Sequence, residues 1–581
     1  MKPMSSNTFK LTFITAAIVS STTASAALYQ VVEVTPSTTY SYKSSFGVAI
    51  QPAVTDDAED NCFNSATITG HGGKSCTDYI LAGETRSSEV NAGEAVDGLS
   101  FREEAPFGMD NAFIYIQDSD DFENYCDVQL RYATCDTWAS IRWNLWSNEI
   151  SGVSDINSIA FTGNSATGSP VDESYNVVVN SLDNLGEPIG IKLAQGDVSV
   201  FRRNTVEALA DNITTNSYLQ SRAWKTDDTY TVGSVSTSVS NTNGTYYSSK
   251  AAMWSSDGLV QVAWPSNTQV YDNSTIAQGS FRDFVIDDDA DETIYAVGYN
   301  SFYSNRNYME ASISKVAKAD FVSPSNWITV GINKAKVYSN GGTDGEHVYS
   351  NTLLTSVNSN LIAIGEAKRW GRTPYNGAAT TRLFIVPDVS VSSPSATFFS
   401  GGIFFDGAGG KAGGINNYNE IVGQIDAEST REVNGKPRRK RGFIYPYDAD
   451  GTDSDRRAVF NNKAWWLDNL TNGPAPDSSS VDVSGNNQYR IIDATDINDA
   501  GVISATALKC ENGYDTTAYN ATCGGGSKDE TTVAVKLVPI PGATSSNILA
   551  RGTDETTTER SGAGVGLWML AVLGFLGFRR K

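Results

Sequence analysis

The chain has 581 residues with a formal net charge of −23, and 40% of its residues are hydrophobic. This apolar content excludes a disordered chain, and the lack of a long basic stripe argues against nucleic acid, whose phosphates need clustered lysine and arginine. With two histidines in the whole chain, His-rich zinc and Ser-His-Asp chemistry are disfavoured. No catalytic signature is present, so the residues lean away from an enzyme.

Residues 1–26 have the pattern of a cleavable export signal. Lys2 and Lys10 precede a short apolar run, and small residues end the segment at Ala26. This is the order of a secretory signal, and the run is shorter than the roughly 20 residues that span a membrane. We expect the export machinery to recognise it and the mature body to occupy residues 27–552.

The six cysteines fall into three local couples. Export and an even count predict disulfides. Each couple brackets a stretch that resembles one loop, and none has the C-x-x-C spacing that zinc sites favour. We therefore predict three local disulfides, which pair Cys62 with Cys76, Cys126 with Cys135, and Cys510 with Cys523.

A hairpin pattern recurs along the chain. Residues 357–365, 415–423 and 497–503 each read as a strand, a turn rich in Asn, Asp or Gly, and a second strand. A further strand, often aromatic, follows the first two hairpins by about twenty residues. Such a strand, or its nearest equivalent, can be marked at seven places: Phe113, Val178, Met253, Ser312, Phe384, Phe443 and Ala534.

These repeats predict an all-β fold, a β-propeller of about seven blades with a range of six to eight. Tandem β-sandwich domains are the alternative, because counting strands cannot show whether a ring closes. Residues 28–34 form a strong strand without a hairpin partner. Because an unpaired edge is a liability, we predict that this strand pairs with residues 533–538 and closes the ring.

Two stretches are candidate binding sites. A D-x-D-G-x-D-x-D loop suits calcium, with a solvated acidic turn as the alternative; its carboxylates are Asp448, Asp450, Asp453 and Asp455. Trp370, flanked by Arg369 and Arg372, is the best candidate for an exposed ring that stacks on sugar, whereas other tryptophans are expected to fill the space between blades. The basic run at residues 436–441 is expected to be a solvated loop tip, with docking of an acidic polysaccharide as the alternative.

The C-terminal end has the composition of a tether followed by a membrane segment. Residues 553–561 are polar, and residues 562–581 contain Gly562 and Gly564, an apolar run, and the basic end Arg579, Arg580 and Lys581. This segment resembles the GlyGly-type, rhombosortase-like sorting tails of Gram-negative secreted proteins, with Gly-Ala-Gly in place of the usual Gly-Gly. The resemblance implies a transient inner-membrane anchor, removal by a sorting protease, and a cell-surface or extracellular destination. A permanent weak anchor is the alternative.

The hairpins and the strands that follow them resemble HAF repeats, extracellular repeats named after a His-Ala-Phe tripeptide. The histidine is replaced here by Asn111, Lys250, Arg441 or Lys463. As a whole, the chain resembles an uncharacterised family of secreted Gram-negative bacterial proteins, and this resemblance implies no activity.

The favoured function is therefore an exported, surface-attached or secreted propeller that binds extracellular glycan or envelope protein without catalysis. One alternative is a polysaccharide hydrolase or lyase with carboxylates in the central channel. The other is a structural component of the cell envelope or matrix.

Overall fold

The computed structural model describes residues 27–554 apart from residues 54–59, 70–72, 87–118, 126–134, 137–138, 141–157, 195–204, 211–212, 214–220, 242–243, 267–269, 272–274, 303–306, 338–348, 370–374, 379, 432–437 and 477–478. The fold is all-β, and seven sheets form the blades of a β-propeller. The predicted fold class and blade number are confirmed, and the tandem sandwich is excluded. Within the described residues, no helix has the length and apolar character needed to cross a membrane.

The strands follow one another blade by blade. The first, β1 (Tyr29–Glu33), belongs to the last blade. Blade 1 holds β2 (Thr35–Pro36), β3 (Ser44–Ile50), β6 (Leu81–Arg86), β7 (Ala160–Gly163) and β8 (Thr167–Pro170), with a side hairpin of β4 (Thr67–Ile68) and β5 (Lys74–Ser75). Blade 2 holds β9 (Asn176–Leu182), β10 (Pro188–Ala194) and β11 (Thr205–Leu209). Blade 3 holds β12 (Ser221–Thr226), β13 (Thr231–Asn241), β14 (Gly244–Ser255) and β15 (Gly258–Gln261), and a small hairpin of β16 (Val270–Tyr271) and β17 (Thr275–Ile276) follows it.

The second half of the ring is more regular. Blade 4 holds β18 (Gly279–Ile286), β19 (Thr293–Ser301), β20 (Met309–Ala317) and β21 (Ile328–Gly331). Blade 5 holds β22 (Tyr349–Val357), β23 (Ala363–Arg369), β24 (Thr381–Val386) and β25 (Thr397–Phe398). Blade 6 holds β26 (Gly410–Ile415), β27 (Glu420–Asp426), β28 (Lys440–Pro446) and β29 (Trp465–Trp466). Blade 7 holds β30 (Tyr489–Ile497), β31 (Ile503–Lys509), β32 (Thr531–Pro539) and β1. The α-helices whose bounds both lie within the described residues are α1 (Ser119–Tyr125), α2 (Ser454–Val459) and α3 (Leu467–Leu470).

The two ends of the body close the ring, as predicted. Strand β1 pairs antiparallel with β32 in a register from Tyr29 opposite Pro539 to Glu33 opposite Val535. Blade 7 then contacts blade 1, where the backbone N–H of Gly47 donates to Thr506 Oγ1 at 3.2 Å. The N-terminal strand therefore completes the last blade and leaves it without an open edge on that side.

Steric crowding explains why glycine occupies this position of the repeated hairpin. In the second strand of their blades, Gly298, Gly365 and Gly423 face a backbone carbonyl of the neighbouring first strand, which occupies the place of a side chain. In blades 5 and 6 the aromatic ring of the third strand, Phe384 or Phe443, also packs against the glycine. The repeat thus records two close approaches that only glycine permits.

Replacing Gly423 by Ala is expected to lower the free energy of unfolding by about 2–3 kcal/mol, because overpacking forces neighbours to shift. The new methyl group would overlap the carbonyl oxygen of Lys411 and lie 2.9 Å from Phe443 Cε1. Gly485→Ala is the matched control, since its nearest neighbour would be 4.0 Å away. Chemical denaturation of both variants checks this, and equal stability of the two would contradict it.

The marked aromatic strands are mostly third strands of blades. Met253, Ser312, Phe384, Phe443 and Ala534 lie on the third strands of blades 3 to 7. Val178 instead lies on β9, the first strand of blade 2, so its assignment was wrong: a buried inner strand has the same apolar run as a buried third strand. Phe113 lies outside the described residues.

Apolar side chains of adjacent blades form the core. One cluster joins Tyr295 and Val297 of blade 4 to Leu354 and Phe384 of blade 5. Tryptophans contribute as expected: Trp327 is buried and stacks on Phe281 with ring centroids 5.7 Å apart. The blades are therefore held together mainly by burial of these faces.

Candidate functional site

The first strands of blades 2 to 7 line the central axis, and each leaves its register at least once, with two shifts in blades 5 and 7. The bulge nearest the hairpin turn leaves one or two residues unpaired, which are Asn180, Trp224, Arg282, Thr355, Gly413 with Gly414, and Thr495. A β-bulge bends a strand and re-aims its side chains. The residue after the bulge is Lys225 in blade 3, Asp283 in blade 4 and Asp496 in blade 7. We call Trp224, Lys225, Arg282, Asp283 and Asp496 the axial cluster.

Charges from non-adjacent blades meet at Lys225. Burial works against the charge of its ammonium, but the carboxylates of Asp496, Asp283 and Asp499 outweigh burial and hold the lysine pKa above its usual value. Because blades 3 and 7 are not neighbours, this interaction runs across the axis. Within the described part of the chain, the ammonium makes no hydrogen bond or ion pair.

The two carboxylates of the axial cluster also join blades. Asp283 Oδ2 accepts hydrogen bonds from Ser356 Oγ at 2.7 Å and from the N–H of Val357 at 3.0 Å, both in blade 5. Asp496 Oδ2 accepts from the N–H of Ile50 in blade 1 at 3.1 Å. Burial raises the pKa of Asp283, and Lys225 and these hydrogen bonds oppose that rise. The carboxylates therefore have a structural task besides any contact with a ligand.

An aromatic ring lies beside these charges. The guanidinium of Arg282 lies 3.4 Å from the centroid of the Trp224 ring and 5.3 Å from that of Tyr299. Trp224 is half-buried, and its buried Nε1 has no hydrogen-bond partner within the described residues. An unsatisfied buried donor costs free energy, so it marks a place where a polar ligand atom or a water would be stabilised.

The hairpin turns that follow the first strands of the blades are linked by a ladder of side-chain amides, which we call the turn ladder. Asn358 Nδ2 donates to the carbonyl of Asn416 at 2.9 Å, Asn416 Nδ2 to that of Asn498 at 3.2 Å, and Asn498 Nδ2 to that of Gln51 at 3.0 Å. Gln51 Nε2 continues to the carbonyl of Asn184 at 2.8 Å. The asparagine of the repeat therefore links blades 5, 6, 7 and 1 in sequence, and Gln51 extends the ladder to blade 2.

A buried ion pair lies on the turn ladder. Arg456 donates two hydrogen bonds of 2.8 Å to the carboxylate of Glu420 and one of 3.0 Å to the carbonyl of Asp499. The carboxylate of Asp499 accepts from the backbone N–H and from Nδ2 of Asn417, both at 2.8 Å. Bidentate geometry and complete hydrogen bonding make this arrangement tolerable in the interior.

Asp499 makes stability depend on pH. Burial raises its pKa to about 6, although the Asn417 donors and Arg456 oppose the rise. The unfolded carboxyl has a pKa near 4, so the folded state binds the proton more tightly, and the group's contribution is complete below pH 4 and lost as pH rises through 6. In Asp499→Asn we expect the free energy of unfolding to lose this dependence on pH, which is on the order of 2–3 kcal/mol in total.

Denaturation curves between pH 4 and pH 7.5 measure this effect. Asp320→Asn, a change at an exposed position, is the control and should keep the slope of the unsubstituted protein. An unchanged slope in Asp499→Asn would contradict the assignment.

The acidic loop at residues 448–455 makes local structural contacts. Asp453 caps helix α2, since its Oδ1 accepts from the N–H of Arg456 at 2.7 Å. Asp448 lies 3.5 Å from Arg457, and the carbonyl of Asp450 accepts from Asn419 Nδ2. Asp455 lies in the first turn of α2. No group of three or more potential ligands converges among the described residues, so calcium at this loop stays a prediction.

The remaining predicted site residues are the cysteines, Arg369, and several positions that lie outside the described residues. The Cys62–Cys76 and Cys510–Cys523 disulfides are confirmed; Cys126 is outside the described residues, so its pairing with Cys135 stays a prediction. Arg369 lies at the end of β23 with its guanidinium 3.6 Å from the Tyr375 ring. Trp370 and Arg372 lie outside the described residues, as do Gly562, Gly564, Arg579, Arg580 and Lys581.

The described part of the basic run is not a solvated loop tip. Arg438 and Arg441 are buried, and they pair with Asp426 at 3.3 Å and Asp468 at 2.8 Å. Lys440 also pairs with Asp426. The sequence expectation was wrong here because the acidic partners come from distant positions, and only the fold brings them together.

Sequence reasoning missed the axial cluster. The available signal was a charged residue two positions before the hairpin turn, as with Lys225 before Asp227 and Asp496 before Asn498. Such a residue is out of place in a buried strand. In blade 4, strand β18 continues to Ile286 after Asp283. Asp283 therefore does not stand two positions before the turn, and the signal is not visible there.

Comparison with solved structures finds low likeness. An α-L-arabinanase of Penicillium chrysogenum is 8% identical, with 89% of this chain and 98% of that chain covered and a TM-score of 0.27. A polysaccharide lyase of family PL25, an ulvan lyase, is 10% identical, with 56% and 74% covered and a TM-score of 0.26. A β-fructofuranosidase of Bombyx mori is 12% identical, with 63% and 88% covered and a TM-score of 0.23. These values carry no argument about activity.

The family comparison is more definite. No curated protein matches the chain. The family model described as "Protein of unknown function (DUF3466)" matches residues 235–581, more than half of the sequence. The match covers blades 4 to 7 apart from β1, and it includes Asn358, Asn416 and Asn498 of the turn ladder. The chain is therefore a member of the DUF3466 family.

Proposed function

We propose that this protein is an exported, surface-attached or secreted propeller that binds extracellular glycan at the axial cluster without catalysis. The supporting observation is the convergence of Lys225, Asp283 and Asp496 on the axis beside Trp224. Sugar hydroxyls both donate and accept hydrogen bonds, so they suit a site that offers an ammonium, carboxylates and an unpartnered indole N–H. The half-buried indole supplies an apolar surface of the kind that lines such sites.

The proposal also includes the cellular location of the protein. Residues 1–26 act as the export signal, and residues 562–581 act as the sorting tail that a membrane protease removes. Envelope protein is the other partner class for the same surface.

Catalysis is the second candidate function, because the axial cluster contains two carboxylates. Against it, an oxygen of each carboxylate accepts a backbone N–H from the next blade. A general acid or nucleophile needs to exchange its proton or attack a substrate, and a carboxylate that fastens two blades is poorly placed for either.

A panel of soluble neutral and acidic polysaccharides tests the proposal. We expect the unsubstituted protein to bind at least one member, and Trp224→Ala and Lys225→Met to weaken that binding about 10-fold or more, which is about 1.4 kcal/mol. The matched control is a lysine and tryptophan pair elsewhere in the fold, Lys250 and Trp264, in which the ammonium lies 4.9 Å from the ring. Lys250→Met and Trp264→Ala should bind like the unsubstituted protein.

Three results would overturn parts of the proposal. Failure of the unsubstituted protein to bind any polysaccharide removes glycan as the ligand. Equal binding by the axial and control variants removes the axial cluster as the site. Release of shortened products from a bound polysaccharide favours the enzymatic candidate.

A further inference from the structure

Three buried arginines meet on the seam between blades 6 and 7, opposite the turn ladder. They are Arg441 of β28, Arg490 of β30 and Arg551, which follows the last strand. Arg441 Nε lies 2.8 Å from Asp468 Oδ2, and Arg551 Nε donates to the carbonyl of the same Asp468 at 2.6 Å. We call the three side chains the arginine clamp.

The arginine clamp holds one loop by four consecutive carbonyls. Arg490 donates to the carbonyls of Thr516 and Ala518, both at 3.1 Å. Arg551 donates to the carbonyl of Thr517 at 2.8 Å, and Arg441 to that of Tyr519 at 2.9 Å. This loop joins β31 to β32 and is closed by the Cys510–Cys523 disulfide.

The same loop holds the last described residues of the chain. The N–H of Tyr519 donates to the carbonyl of Gly552 at 3.0 Å, and the N–H of Asp554 to Asn520 Oδ1 at 2.8 Å. Thr516 Oγ1 donates to the carboxylate of Asp554 at 2.6 Å. Residues 552–554 therefore follow Arg551 of the arginine clamp directly and contact the disulfide loop.

We infer that the disulfide loop, the arginine clamp and residues 551–554 form an anchor for the C-terminal segment that locks when Cys510 and Cys523 are oxidised. Among the three buried guanidinium groups only that of Arg441 lies against the Asp468 carboxylate, so the group as a whole depends on the loop carbonyls for hydrogen bonds. These four carbonyls align only if the loop is held compact, and the disulfide shortens the free loop that must be ordered. Breaking it releases the loop and removes the partners of Gly552 and Asp554 together.

The redox step is ordinary thiol–disulfide exchange. The two thiols lose two electrons and two protons to a disulfide donor, which becomes a dithiol, and the S–S bond forms. The anchor thus fixes residues 551–554 to the body only after the chain meets an oxidising compartment. This inference is independent of glycan binding.

Hydrogen exchange on the full chain tests it. In the oxidised protein the amides of Tyr519 and Asp554 should be protected. In Cys510→Ser/Cys523→Ser we expect their exchange to accelerate about 100-fold or more, while amides of β31 and β32 keep theirs. Cys62→Ser/Cys76→Ser, which removes the other described disulfide, should leave both amides protected.

Arg551→Ala supplies a second test that leaves the cysteines intact. It should expose the amide of Asp554 in the same way, and Arg551→Lys should restore part of the protection because the lysine ammonium can still donate to a loop carbonyl. The inference is overturned if Tyr519 and Asp554 stay protected in the cysteine variant, or if the amides of β31 and β32 lose protection to the same extent. It is also overturned if Arg551→Ala leaves Asp554 protected.

Discussion

Removal of residues 27–34 is expected to leave the propeller open and unable to reach its native stability. The deletion takes the last strand from blade 7 and exposes the hydrogen-bonding edge of β32. It also removes Ala27, Leu28 and Tyr29, which are fully buried, and each large apolar side chain contributes about 1.5–3 kcal/mol. Together with the lost ladder, this approaches the 5–15 kcal/mol that stabilises a typical protein.

Circular dichroism, thermal unfolding and size-exclusion chromatography measure the outcome. The truncated chain should unfold at a much lower temperature and self-associate through the open edge. A peptide of residues 27–36 added in excess should restore a cooperative transition, whereas a scrambled peptide of the same composition should not. Truncation without change in the unfolding temperature would show that β1 is dispensable for closure.

The closing strand and the blade number were predictable because both depend on local patterns. A strong strand with no hairpin partner has to find an edge, and the chain offers one at residues 533–538. The hairpin repeat shows the same logic, since Gly365 and Gly423 mark close approaches that any sequence of this fold must accommodate.

The axial cluster and the ion pairs were not predictable for the opposite reason. Lys225 and Asp496 lie far apart in sequence, and only ring closure sets them across one axis. Arg438 and Arg441 belong to a basic run in the sequence, yet in the fold each has an acidic partner from another element. A charge in a sequence does not show whether it meets water or a counter-charge, because that depends on tertiary packing.

The turn ladder explains why the repeat uses asparagine. In blades 5, 6 and 7 the side chain accepts from its own turn and donates to the next blade. At the corresponding turn of blade 2, Asp183 accepts from the N–H groups of Leu185 and Glu187. An aspartate can form the turn but has no proton to donate across the seam. Asparagine at this position is therefore tied to the contact between blades.

Asn416→Asp should consequently be strongly destabilising although it changes one atom. Asn416 is buried, and its Nδ2 donates to Glu420 Oε2 at 2.6 Å and to the carbonyl of Asn498 at 3.2 Å. The substitution keeps the acceptor for the turn, removes both donated bonds and places a second carboxylate against that of Glu420. Arg456, already bidentate with Glu420, cannot neutralise both.

We expect the free energy of unfolding of Asn416→Asp to fall by about 3–5 kcal/mol at pH 7, the cost of an uncompensated buried charge. The loss should shrink toward pH 4, because protonation of the new carboxyl removes the repulsion and restores one donor. Asn326→Asp, at an exposed position, is the matched control and should change stability by less than about 0.5 kcal/mol. Denaturation at pH 7 and pH 4.5 measures both variants. If Asn416→Asp were as stable as Asn326→Asp at pH 7, the turn ladder would not hold the blades together, and the repeated asparagine would serve its own turn alone.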